Sequence, residues 1–167
     1  MAEIIKVFKE NIPNLRFIGK KYHEFGHWGE FWANDWFGLL EKAMGGTDAI
    51  LGIWENGGGY VGLEHRTPGA SFEYWIGMFM PIHTEVPHGF EYVDFNHVNL
   101  GTCWIYGSEA EVHDSSACQS ALVQNGMTIW KDENGGTWSF ENCLCPRYTA
   151  PDADGKIILD YCYVVEK

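Results

Sequence analysis

Phe140-Glu141-Asn142, followed by Leu159-Asp160-Tyr161, echoes an earlier run of the same chain: Trp54-Glu55-Asn56, followed by Phe72-Glu73-Tyr74. The offset is about 86 residues. Upstream, Phe17-Ile18-Gly19 has a partner in Asn99-Leu100-Gly101, and each copy carries a helix-like stretch between its first and second strands. A period that long, kept across several elements, reads as a duplicated strand–helix–strand–strand unit. The first repeat covers about residues 15–81 and the second about 90–165, within one domain spanning 1–167. Two such units facing each other leave a crevice in which aromatics and acids can converge on a ligand.

Local signals fill in the elements. Residues 1–13 read as an amphipathic lead-in stopped by Pro13, and Leu15 to Tyr22 as the first strand. Trp28, Trp32, Trp36 and Leu40 recur at four-residue spacing, predicting a helix from Trp28 to Met44 that stops at Gly45-Gly46. Ala49 to Trp54 reads as a short strand, with pairing resumed at Tyr60 to Leu63 and a long apolar strand from Ala70 to Met80. The Pro81 to Pro87 segment joins the repeats. Strands follow at Phe90–Phe95 and Val98–Tyr106, then a helix capped by Asp114 and running to Asn125, stopped by Gly126. The last strands are Thr137–Tyr148 and Ile157–Val165. The class is α+β, mainly antiparallel strands with two helices.

Composition narrows the function. Hydrophobic content is an ordinary 46%, but 8 Trp, 8 Tyr and 10 Phe exceed what a core of this size usually absorbs, so several rings are expected to line a cavity. The net charge of −12 repels phosphate backbones and anionic head groups, which disfavours direct nucleic-acid or membrane binding. No apolar run approaches membrane-spanning length, and no leader is recognisable. Five Cys without a leader suggest reduced thiols and a cytoplasmic protein. There is no phosphate loop, nucleophile elbow or HExxH motif. Cys143 and Cys145 share a strand face, with Cys162 nearby, but lack a histidine at ligand spacing; they read as structural thiols, and neither metal nor cofactor is expected.

Acids set in apolar strands carry the chemistry. Glu73 lies beside Trp75 on one strand face, with Phe72 and Tyr74 on the other; Asp160 sits within Ile158-Leu159-Asp160-Tyr161. A carboxylate in such surroundings must find a partner, stay protonated or face a wet cleft. Arg66, Arg147 and Lys156 are the cations that could pair with Glu73 or Asp160. Glu141, next to Trp138 and Phe140, is the better ligand group, because rings plus a countercharge suit a lipophilic cation. The expected binding set is Glu141, Glu73, Tyr74, Trp75, Trp104, Tyr106, Trp138 and Tyr161, with Trp32 and Trp36 from the first helix. Strand alternation requires one of Tyr74 and Trp75 to be core, while Trp104 and Tyr106 share a face.

The run Trp138-Ser139-Phe140-Glu141-Asn142-Cys143-Leu144-Cys145-Pro146-Arg147-Tyr148, with Pro151-Asp152, Gly155 and Ile157-Ile158-Leu159-Asp160-Tyr161, resembles the C-terminal half of GyrI-like small-molecule-binding proteins. Phe72-Glu73-Tyr74-Trp75-Ile76-Gly77, Val86-Pro87, Gly89-Phe90-Glu91 and the Trp-rich helix resemble that family's N-terminal half. The family is related to the effector-binding domains of AraC-type and multidrug-sensing transcription regulators. The resemblance implies a duplicated fold with a curved sheet and a central ligand cleft, and a strand glutamate, here Glu141, that meets a cationic drug. Some members hydrolyse cyclopropane-containing genotoxins, so it also implies an enzymatic alternative in which Glu141 or Glu73 positions water or protonates the opening ring. A third reading is an acidic protein that occupies a cationic protein partner.

Overall fold

A computed structural model describes all 167 residues. Eight strands form a single antiparallel sheet: β1 (Glu3–Asn11), β2 (Leu15–Tyr22), β3 (Tyr60–Arg66), β4 (Glu73–Pro81), β5 (Glu91–Phe95), β6 (Asn99–Gly107), β7 (Thr137–Cys143) and β8 (Ile157–Val165). Five short helices accompany them: α1 (Trp28–Ala33), α2 (Trp36–Met44), α3 (Asp48–Leu51), α4 (Glu109–Val112) and α5 (Cys118–Gln124). No helix is long and apolar enough to cross a membrane. The strand order is β1-β6-β8-β7-β3-β4-β2-β5.

That order displays the duplication. The trios β2-β4-β3 and β6-β8-β7 are arranged alike about the central β3–β7 pair, where Leu63 lies opposite Phe140. Each half of the chain also begins with a strand given to the other half: β1 pairs with β6, and β5 with β2. The helices follow suit, with α2 and α3 packed on β4, α4 on β6 and β8, and α5 on β6 and β1. The middle of the sheet therefore lies between the two helical groups.

Several expected elements take a different form. The lead-in at residues 1–13 is a paired edge strand, β1. The Trp28–Met44 helix is broken at Asn34-Asp35, with Asp35 left-handed at φ 51°. The break lets Phe31 and Phe37 bury together, their rings 4.5 Å apart. Residues 49–54 are helix α3 and a turn, not a strand; Ile50 alone of Ile50, Leu51 and Ile53 is buried, and a short apolar run does not by itself separate the two states. Asp114 caps a turn, its Oδ1 accepting from the Ser116 backbone N–H at 3.1 Å, so the predicted helix begins only at Cys118, as α5, and a separate short helix, α4, precedes the turn. Ser108 and Glu111 form the capping box of α4. Gly45 and Gly126, both at φ 85°, follow α2 and α5 as stops.

The sequence repeat also needs a new register. Trp54-Glu55-Asn56 lies in a loop with Glu55 exposed, whereas Phe140-Glu141-Asn142 lies in β7. About the Leu63–Phe140 centre, the counterpart of Glu141 is Glu64.

Candidate ligand-binding site

Strand alternation puts Gly62, Glu64 and Arg66 of β3 on the same face as Ser139, Glu141 and Cys143 of β7. On the outer neighbours, Tyr74 of β4 lies opposite Glu64, and Tyr161 of β8 lies opposite Glu141. The phenols reach across instead of pairing with their neighbours. Tyr74 donates to Glu141 Oε1 at 2.9 Å, and Tyr161 donates to Glu64 Oε2. Two acids and two phenols thus form a quartet around the pseudo-twofold. Gly62 makes room for it, since a Cβ there would run into the Tyr74 hydroxyl and Glu141 Oε1. At the matching position, the Ser139 hydroxyl lies 3.1 Å from that of Tyr161.

Burial, with the facing carboxylates, pushes the Tyr74 and Tyr161 hydroxyls well above the ordinary phenol range. Both therefore stay protonated and serve as hydrogen-bond donors at neutral pH.

The quartet floors a cavity of about 730 Å³, within the range that holds drug-sized ligands. Phe25, Trp28 and Trp32 wall it from the first helical segment; Glu109, His113 and Tyr148 wall it from the second repeat. Trp28 Nε1–H donates to the Tyr74 oxygen at 2.9 Å, extending a chain of hydrogen bonds to Glu141. On the other side, His113 Nδ1 lies 2.9 Å from Glu141 Oε2, and its Nε2 lies 3.1 Å from the Tyr148 hydroxyl. The hydrogen bond to Glu141 raises the His113 pKa, against the opposing effect of burial. Burial pushes the Cys143 thiol up to about 12, so this wall presents a thiol, not a thiolate. No group of three or more His, Cys, Asp and Glu is arranged to hold a metal ion.

Of the residues expected to bind ligand, the cavity brings together Glu141, Tyr74, Tyr161 and Trp32, the last 56% exposed at its edge. Glu73, Trp75 and Trp138 belong to the opposite face of the sheet. There Glu73 Oε1 accepts from Trp75 Nε1 and Glu73 Oε2 meets His65 Nδ1 at 3.2 Å, while Trp138 stacks on His65 at 3.8 Å. Trp75 is core, packed edge-on to Phe17. Trp104 and Tyr106 also face away; Arg147 lies over Trp104, and Tyr106 donates to Asp152 at 2.5 Å. Trp36 packs against Phe31 and Phe90 outside the cavity. Asp160 is buried and held by Arg147 through two 2.7 Å contacts.

Glu64, His113, Tyr148 and Trp28 are site residues that the sequence reading passed over. Glu64 had a signal: extending β3 to Arg66 puts Glu64 in the same alternation as Gly62. His113 had none, because its role depends on a helix of one repeat meeting a strand across the cavity.

No family model matches this chain, and no curated protein does. Solved structures resemble it over nearly its full length. A Staphylococcus aureus MU50 chain ascribed to bacterial transcription regulation is 14% identical, with a TM-score of 0.62 over 97% of this chain and 99% of that one. SAV2435 bound to tetraphenylphosphonium is 13% identical, with a TM-score of 0.59 and coverage of 97% and 94%. A hydrolase encoded by lin2189 from Listeria innocua is 10% identical, with a TM-score of 0.57 and coverage of 96% and 92%. At such low identity, what this chain shares with these three proteins is its fold.

Proposed function

We propose that this chain is a GyrI-like binding protein of the effector-binding type, capturing lipophilic aromatic or cationic small molecules in the cytoplasm. One observation carries the reading. Glu141 sits in a ring-walled cavity with 17% of its side chain exposed, and the basic group beside it, His113, is more exposed at 41%. A carboxylate largely withdrawn from water needs a polar or charged partner, and here its basic partner stands toward solvent, where a ligand cation can replace it. Phe25, Trp28 and Trp32 supply faces for stacking and cation–π contact, which impose no particular hydrogen-bond pattern and tolerate varied ligands. SAV2435, bound to a lipophilic aromatic cation, gives the same fold that use.

The test is calorimetric titration with tetraphenylphosphonium. The native protein should bind it, and Glu141→Gln should weaken binding by about tenfold or more, the loss expected when a desolvated cation loses its countercharge. Undiminished affinity in the variant refutes the reading.

A hydrolytic reading is favoured by one feature, the contact of Glu141 with both His113 and Tyr74, which offers a proton acceptor beside a fixed donor. A product heavier than its cyclopropane-containing ligand by one water, lost in Glu141→Gln while binding persists, would establish it.

A further inference from the structure

The acid that meets the ligand has a twin. Glu64 and Glu141 are related by the pseudo-twofold, open into one cavity, and each accept a hydrogen bond from a phenol of the other repeat. Each is also covered by a basic side chain more exposed than itself. Arg66 donates to Glu64 Oε1 at 2.7 Å, with 58% of the arginine side chain exposed against 10% of the glutamate. His113 stands in the same relation to Glu141. The free protein therefore covers its two cavity carboxylates with two of its own basic side chains, both at the solvent side.

We propose that the cavity is a two-charge site, whose preferred ligands are short aromatic dications that replace Arg66 at Glu64 and His113 at Glu141. The inference rests on the cation-binding reading above and names its ligand class. Glu64 pairs with Ser139, two residues before Glu141 on β7, so the acids are diagonal neighbours. Such positions lie roughly 7–8 Å apart, so a ligand with its two cationic groups at a comparable spacing suits the pair. A benzene ring carrying a quaternary ammonium on each of two para methylene groups spans that distance and offers a ring for Trp28 or Phe25 to cover. The Arg66 guanidinium is not left without company when displaced, since it already lies over the Phe72 ring at 4.4 Å.

The test is calorimetry with para-xylylene-bis(trimethylammonium), its monocation 4-methylbenzyltrimethylammonium, and decamethonium as an overlong dication. The short dication should bind the native protein about tenfold or more tighter than the monocation, and decamethonium should show no such gain. Glu64→Gln should bring the short dication to within about threefold of the monocation, and Glu141→Gln should weaken both. Arg66→Ala, which strips the exposed guanidinium from Glu64, should widen the dication's advantage. Equal binding of dication and monocation overturns the two-charge site while leaving the cation reading intact, as does a Glu64→Gln variant that weakens both alike. Failure of the monocation and both dications to bind overturns both.

Discussion

Glu141 shares one oxygen with Tyr74 and the other with His113, and the second contact titrates. The hydrogen bond to Glu141 is the main cause of the raised His113 pKa; the charges of Glu141 and Glu109 add to it, and burial opposes it. Tyr148 is the remaining titratable group against the ring, held protonated by burial. A raised folded-state pKa means that the contact stabilises the protein fully below the ordinary imidazole value near 6.5. That contribution is lost as pH rises through the raised value. For a permanent cation the consequence is reversed, because protonated His113 competes for Glu141. Affinity for tetraphenylphosphonium should rise several-fold as pH increases from about 6.5 through the raised value, with proton release on binding inside that window. His113→Asn should flatten the profile; calorimetry in buffers of different ionisation enthalpy reads both effects.

In the β2–β4 pair, Gly19 faces Gly77. A Cβ on Gly19 would strike the Ile76 carbonyl, and one on Gly77 would strike the Ile18 carbonyl. These are backbone atoms, which cannot swing aside as a side chain would. Gly19→Ala and Gly77→Ala should therefore each destabilise the fold by about 2 kcal/mol or more, although alanine is ordinarily the easier residue to order. Urea denaturation checks this, and a neutral result would mean that the strands separate readily here. The broken helix shows what element-level patterns omit. The four-residue recurrence of Trp28, Trp32 and Trp36 describes one continuous stripe, yet Asp35 interrupts it so that Phe31 and Phe37 meet in the core. Trp32 is left at the cavity edge and Trp36 against Phe90, two fates for residues that the spacing made equivalent.

Across the whole molecule, the exchange of leading strands ties the repeats together. β1 belongs in sequence to the first half of the chain but pairs with β6, and β5 leads the second half but pairs with β2. The buried Asp160–Arg147 pair is stitched across as well, through Arg147 to Asn56 at 3.2 Å. A fragment of residues 1–86 would hold β1 without β6, β3 without β7 and β2 without β5, exposing three strand edges. We expect neither 1–86 nor 87–167 to show cooperative melting by circular dichroism alone, and an equimolar mixture to regain it. Cooperative folding of either fragment by itself would show the repeats to be independent.

The chain's own pattern determined the element types for most strands, the α+β class, the two-repeat plan and an acid among rings at Glu141. Alternation and turn residues are local, so they survive without tertiary context. Which sheet face became the cleft was decided only by folding: the same alternation that sent Tyr74 and Glu141 into the cavity sent Glu73, Trp75 and Trp138 behind it. Local sequence carries no mark distinguishing those faces. That choice follows from strand register between distant segments and from where the helices pack, and the same long-range pairing made Glu64, not Glu55, the partner of Glu141.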